Sequence, residues 1–165
     1  MRAFASSLPM ALLSARESVM RRFRPSLRRH SVTEQQWRVL RALAGHRGIE
    51  LAELAARTCL LPPSLSRILP DLERRGLIAR APVAADMRRS SASLTAEGVR
   101  LIAAHAPESE AIYRAIEDRF GPERLRYLLG LLRELEEAAA PPTRAVQAIA
   151  RRAPRSTGAN DRSAR

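Results

Sequence analysis

ELAELAARTCLLPPSLSRILPDLERRGLIARAPVAADMRRSSASLTAEG, residues 50–98, decides the fold. It reads as two short helices joined by a tight turn from Cys59 to Leu61, followed by a two-stranded hairpin. In the second helix Leu65, Ile68, Leu69 and Leu72 recur at i, i+3, i+4 and i+7, an apolar stripe that must face a core. At about 100° per residue, Pro63, Arg67, Pro70 and Arg74 point the opposite way. A helix with one buried stripe and one arginine-bearing outer stripe, packed on a short partner, is how a helix-turn-helix meets a DNA major groove.

Within this stretch Leu51, Leu54 and Ala55 mark the first helix. Pro62 and Pro63 open the second, since proline is tolerated in a first turn, and Arg75-Gly76 closes it. Pro70 sits in its interior, removes the backbone bond to Ser66 and predicts a kink, with Pro63 to Arg67 on the undisturbed side. Leu77 to Arg80 and Ser91 to Leu94 read as paired strands around a polar loop from Ala81 to Arg89, a wing.

Working outward, Ser7 is placed to cap a helix from Leu8 to Arg29, with Leu8, Leu12, Ala15, Val19, Phe23 and Leu27 on its apolar side and a bend expected at Pro25. Thr33 with Gln36 makes a capping box for a helix to about Ala44, whose buried side is Trp37, Leu40 and Leu43. Gly45 and Gly48 close it, and Ile49 reads as a strand of one or two residues. Beyond the wing, Thr95 caps a long helix carrying Leu101, Ile102, Ile112, Ile116 and Phe120, interrupted at Pro107. Gly121-Pro122 breaks the chain. A last helix presents Leu125, Leu128, Leu129, Leu132 and Leu135 as a narrow seam, which predicts a dimer partner. After Ala140 six arginines stand against one aspartate in a segment that reads as a disordered basic tail.

The chain has 165 residues, enough for one domain and a tail, and a formal charge of +12. All 29 basic residues are Arg, which leaves no lysine for Schiff-base chemistry and favours a polyanion partner, although biased genomic composition would give the same count. One cysteine, Cys59, excludes an internal disulfide or a CxxC metal site and fits a reducing cytoplasm. No metal and no cofactor is expected. His30, His46 and His105 are scattered and no catalytic or phosphate-loop motif appears, so an enzyme is not expected. The Arg- and Ser-rich start resembles a transit peptide in composition, but Pro9 and Arg16 leave too short an apolar run for a secretory signal, and no run of about 18 apolar residues exists to span a membrane.

The run of RTCLLPPSLSRIL, LERRGLI, DMRR and SLTAEG, with ALLSARESVMRRFRP and VTEQQWRVLRALA upstream, resembles the MarR family of bacterial transcription regulators, and within it the repressors of homoprotocatechuate degradation. The resemblance covers roughly residues 8 to 137. It implies a mainly α fold with a small β-hairpin: a winged helix-turn-helix at 33–98, an N-terminal dimerisation helix at 1–32, C-terminal dimerisation helices at 99–139 and the tail at 140–165. It further implies a homodimer on a palindromic double-stranded DNA operator, and a mature rather than cleaved N-terminus.

For DNA, Ser64, Ser66 and Arg67 stand at the start of the recognition helix, where hydroxyls reach phosphates or base edges and Arg67 can fork onto a guanine; Pro63 and Arg74 flank them. In the wing, Asp86 with Arg88 and Arg89 matches the family's D-x-R tip, an arginine for a narrow minor groove. In similar regulators of aromatic-acid catabolism an arginine at the place of Arg16 anchors a small aromatic acid. Met20, Phe23, His30 and Trp37 would supply the walls here, and a salt bridge to Glu17 of a partner subunit is the alternative for Arg16. Cys59, between Thr58 and Leu60, reads as a buried structural thiol, with an oxidation sensor as the alternative. A nonspecific architectural nucleic-acid-binding protein is the rival reading of the charge.

Overall fold

The computed structural model describes Phe4, residues 7–83 and residues 86–140, without the side chains of residues 86–88. The element order is α1 (Leu8–Arg29), α2 (Glu34–Leu43), β1 (Ile49–Glu50), α3 (Leu51–Thr58), α4 (Pro62–Arg74), β2 (Ile78–Val83), β3 (Asp86–Leu94), α5 (Ala96–Phe120) and α6 (Pro122–Ala139). The chain divides into two compact units, residues 1–119 and 120–165. The described part of the second is essentially α6, which has no buried residue; Gly121, at φ 95, precedes it. The basic tail beyond residue 140 lies outside the described residues.

In the first unit the core gathers the apolar stripe of each element: Leu27 of α1, Val39, Leu40 and Leu43 of α2, Leu54 of α3, and Leu65, Leu69 and Leu72 of α4 are all nearly inaccessible to solvent. Each removes roughly 1.5–3 kcal/mol worth of apolar surface from water, so α2, α3 and α4 close on one another without any covalent link. The capping box of α2 forms in both directions, Gln36 N–H donating to Thr33 Oγ1 and Thr33 N–H to Gln36 Oε1. Thr95 likewise accepts from Gly98 N–H at 3.1 Å at the start of α5.

The sheet itself is as expected, the hairpin joined by the short strand at Ile49, in the order β1-β3-β2: Ile49 pairs with Ala92 and Ile78 with Leu94, all antiparallel. Several expectations need correction. The wing is longer than its β-propensity suggests. Most of the stretch from Ala81 to Arg89 is strand, because main-chain pairing continues from Ala81 opposite Ser91 to Val83 opposite Asp86, with a register shift at Pro82/Val83. The interruption expected at Pro107 does not occur, α5 running as one helix from Ala96 to Phe120, and α1 and α4 likewise remain α-helical through Pro25 and Pro70. All three prolines, and the residues four positions before them whose carbonyls lose a donor, are exposed, which leaves those carbonyls open to solvent. Ser7 occupies the N-cap of α1 but caps nothing; Pro9 takes an N–H away from the first turn, and the Ser7 hydroxyl donates instead to the Phe4 carbonyl at 2.9 Å. Cys59 is not buried. It is the C-cap of α3 in the left-handed region, φ 50 and ψ 39, and that turn carries Leu60 inward while leaving the thiol exposed.

Candidate nucleic-acid interface and ligand cavity

On α4 the outer stripe is presented as its spacing requires. Pro63, Ser66 and Arg67 are exposed and Ser64 is half-buried. The Ser66 hydroxyl donates to the Pro63 carbonyl at 2.9 Å, while Arg67 makes no hydrogen bond or ion pair with the described residues and keeps its full fork of donors. Arg74 is different: it is exposed but paired with Asp71, which also accepts from Gln36 of α2 at 2.8 Å.

The wing is held at its base by two ion pairs that sequence reasoning missed as pairs. Arg80 of β2 donates through Nε to Glu73 of α4 at 2.8 Å, and Arg89 of β3 pairs with Glu50 of β1. The Arg80 guanidinium holds the Glu73 carboxyl below the usual range. Arg89 is therefore committed to the sheet in this arrangement. Asp86 and Arg88 belong to β3, and their side chains lie outside the described residues.

A cavity of about 460 Å³ opens between α1, α2, the end of α3 and α5. Four expected residues, Arg16, Met20, Phe23 and Trp37, line it, and Tyr113 of α5 adds a further aromatic wall. The missed part is cationic: Arg38, Arg41 and Arg57 also line it. A signal for two of them existed, because Glu34, Trp37, Arg38 and Arg41 share one face of α2 at i, i+3, i+4 and i+7. Arg16 is answered within its own chain, by Glu17 and by Glu34, each at 2.6 Å, and Arg24 pairs with the same two carboxylates. Burial works to raise the Glu34 carboxyl, but the bonds from Arg24 and Arg16 outweigh it and hold it low.

His30 is not among the cavity residues. It belongs to a polar cluster behind Trp37. His105 of α5, fully buried, packs its ring 4.2 Å from Trp37 and 5.3 Å from His30. Neither ring nitrogen of His105 has a hydrogen-bond partner among the described residues. Burial, and then His30, push the His105 imidazole below its ordinary pKa. Glu108, one turn on, is bonded by Arg29 and Ser26 and its pKa falls to about 2.

Residues 30–89 match the MarR family. Over 128 residues the chain is 44% identical to the homoprotocatechuate degradative operon repressor of Escherichia coli, covering 78% of this chain and 86% of that one. Among solved structures, NadR in complex with 4-hydroxyphenylacetate is 39% identical, with a TM-score of 0.72 over 82% of this chain and 96% of that one. Sco3205 of Streptomyces coelicolor, a MarR family regulator in complex with DNA, is 26% identical, with a TM-score of 0.71 over 80% and 85% of the two chains.

Proposed function

The chain belongs to the MarR family of transcriptional regulators, and from that premise we propose that it represses an aromatic-acid catabolic operon and releases its operator when a small phenolic acid enters the cavity. The observation that carries this reading is the cavity itself: an aromatic slot walled by Phe23, Trp37 and Tyr113 and surrounded by guanidinium groups. A phenolic acid offers the ring and the carboxylate that such a site recognises. The solved relative NadR holds 4-hydroxyphenylacetate, and the Escherichia coli relative is named for homoprotocatechuate degradation.

The protein acts as a cytoplasmic homodimer. Each subunit lays Pro63, Ser64, Ser66 and Arg67 of α4 in the major groove of one half of a palindrome and places Arg88 at the wing in the minor groove. Arg16 is already occupied by Glu17 and Glu34, whereas Arg41 has no side-chain bond with the described residues. The incoming carboxylate thus meets Arg38 and Arg41 without breaking a carboxylate pair, and Arg16 joins only as Glu34 lets go. Ligand binding that favours one spacing of the two recognition helices shifts the operator equilibrium by the difference in affinity for the two spacings.

Trp37 is the single tryptophan of the chain, so its fluorescence reports the cavity directly. Titration with 4-hydroxyphenylacetate is expected to perturb it, and the same concentrations to release a duplex selected by the protein from random sequence. A saturable Trp37 signal with no DNA release rejects the inducer reading, and no signal with any phenolic acid rejects the ligand class. The exposure of Cys59 favours a second reading, in which its oxidation modulates DNA binding. Loss of operator affinity after peroxide that is reversed by reductant, and absent in Cys59→Ser, is its signature.

A further inference from the structure

We propose that Arg38 couples the cavity to the recognition helix, by holding the peptide unit that joins α3 to the turn before α4; this rests on the ligand reading above. Arg38 and Thr58 both line the cavity. The Nη1 of Arg38 donates to the Thr58 carbonyl at 2.9 Å, while its Nε is buried without an acceptor among the described residues. In a planar guanidinium Nε and Nη2 share one edge and Nη1 lies off it, so Arg38 has one arm on the backbone and a free edge of the shape that accepts a carboxylate bidentately. A buried N–H without an acceptor is a standing penalty that a ligand oxygen removes.

The grip of Arg38 falls at a sensitive place. Thr58 is 3% exposed and its hydroxyl donates to the Leu54 carbonyl at 2.6 Å, which fixes the end of α3. The Thr58 carbonyl and the Cys59 N–H belong to one planar unit, so its orientation sets both ψ of Thr58 and φ of Cys59. Cys59 stands at φ 50, a conformation that a residue with a Cβ resists, and Leu61, two residues on, is the N-cap of α4. While Arg38 holds the carbonyl, Cys59 stays left-handed and α4 is aimed as observed. A carboxylate on the Nε/Nη2 edge draws the guanidinium toward the cavity, the unit turns, Cys59 relaxes and α4 is re-aimed. The other cavity arginines lack this connection. Arg16 and Arg57 are paired with carboxylates, and Arg41 makes no side-chain bond to the described residues.

The test is hydrogen exchange in the full-length protein at the Cys59 and Leu60 amides, which bond the Ala56 and Ala55 carbonyls at 3.2 and 3.1 Å. In the wild type, saturating 4-hydroxyphenylacetate should raise exchange there several-fold. Arg38→Met should start at the raised level, show no further response, and bind operator equally with and without ligand. Arg38→Lys, which keeps a donor for Thr58 but has no second edge, should start protected and respond weakly. Wild-type protection in Arg38→Met, or a wild-type ligand response in either variant, overturns the coupling, and should Arg38→Met not fold, the response of Arg38→Lys decides alone. Calorimetry separates the two levels: binding to the wild type without a change in exchange overturns the coupling only, whereas no binding overturns the ligand reading and the coupling with it.

Discussion

His105 holds two nitrogens without a hydrogen-bond partner among the described residues in a fully buried position, against Trp37 on one side and His30 on the other. Its lowered pKa has a definite sign. Between its folded value and its ordinary value of 6.5 the unfolded chain binds the proton and the folded chain does not, so stability is present above that window and lost as pH falls through it. His105→Leu removes the window and two unsatisfied groups together. We expect the variant to be as stable as the wild type or more so at pH 7.5, and its advantage to widen at pH 5 in urea unfolding; identical pH slopes would show that the imidazole does not titrate there. Glu108 does not blur this result, because its carboxyl, held to about 2, contributes stability above the ordinary carboxylate value of 4.5 and loses it only in stronger acid. On the DNA side, Arg67 alone of the α4 arginines keeps its fork uncommitted while Arg74 is tied to Asp71. Arg67→Ala should therefore cost about 1–3 kcal/mol on a selected operator and relax its sequence preference. Arg74→Ala should cost well under that in a gel shift at fixed salt, and a larger loss from Arg74 would reverse the assignment. The placement of single residues was legible where chemistry and spacing coincide: Trp37 and Phe23 do line the cavity, and Arg67 does stand on the outer face of α4. His105 and Glu108 were not, since their partners in α1 and α2 lie about 70 or more positions away and no periodicity encodes that meeting.

Caps and turns made the elements readable. Thr33 with Gln36 and Thr95 with Gly98 mark helix starts by local hydrogen bonding, and the proline pair at 62 and 63 marks one by its fixed φ and its missing donors, all local features that a linear sequence records. The wing shows the opposite case. Ala81, Pro82 and Val83 are held as strand by partners on β3, beyond the tip, so composition alone assigns them to a loop. Gly98 illustrates a close approach that was not legible either: a Cβ there would stand 2.2 Å from the Leu77 carbonyl oxygen and 2.9 Å from Leu94 Cδ2. Since the first obstacle is backbone, neither rotamer change nor side-chain movement relieves it. Gly98→Ala should separate the start of α5 from the wing and destabilise by about 3 kcal/mol, read as a lower urea midpoint. Thr33→Ala, which removes the hydroxyl that accepts from Gln36 N–H and leaves the reciprocal backbone bond, should cost about 1 kcal/mol. A loss from Gly98→Ala no larger than that of Thr33→Ala would mean that the α5 entry yields more easily than its geometry implies.

For the whole molecule the question is why a chain with a formal charge of +12 should prefer one DNA sequence over another. Charge alone supplies nonspecific affinity, falls with salt and is indifferent to sequence. Preference for a palindrome requires two recognition helices at a fixed spacing, hence two subunits. Each unit carries exposed apolar side chains of its own: Tyr127, Leu128, Leu129 and Leu131 of α6 are exposed by 38–70%, and Leu8, Leu12 and Leu13 of α1 by 40–48%. Apolar side chains clustered on a helix face mark a face built to be covered. Leu128→Ser with Leu129→Ser leaves the net charge unchanged while weakening that face, so it separates the two contributions. The variant should sediment as a monomer at concentrations where the wild type is dimeric, and its Tm should fall while becoming more dependent on concentration. Its affinity for random duplex at low salt should stay within a few-fold of the wild type per subunit, because the arginines remain. Its advantage on a selected palindrome should collapse, since one half-site contact no longer brings the second with it. Equal losses on random and selected DNA would instead identify the protein as a charge-driven architectural binder, in which α6 serves folding and the arginines alone do the binding.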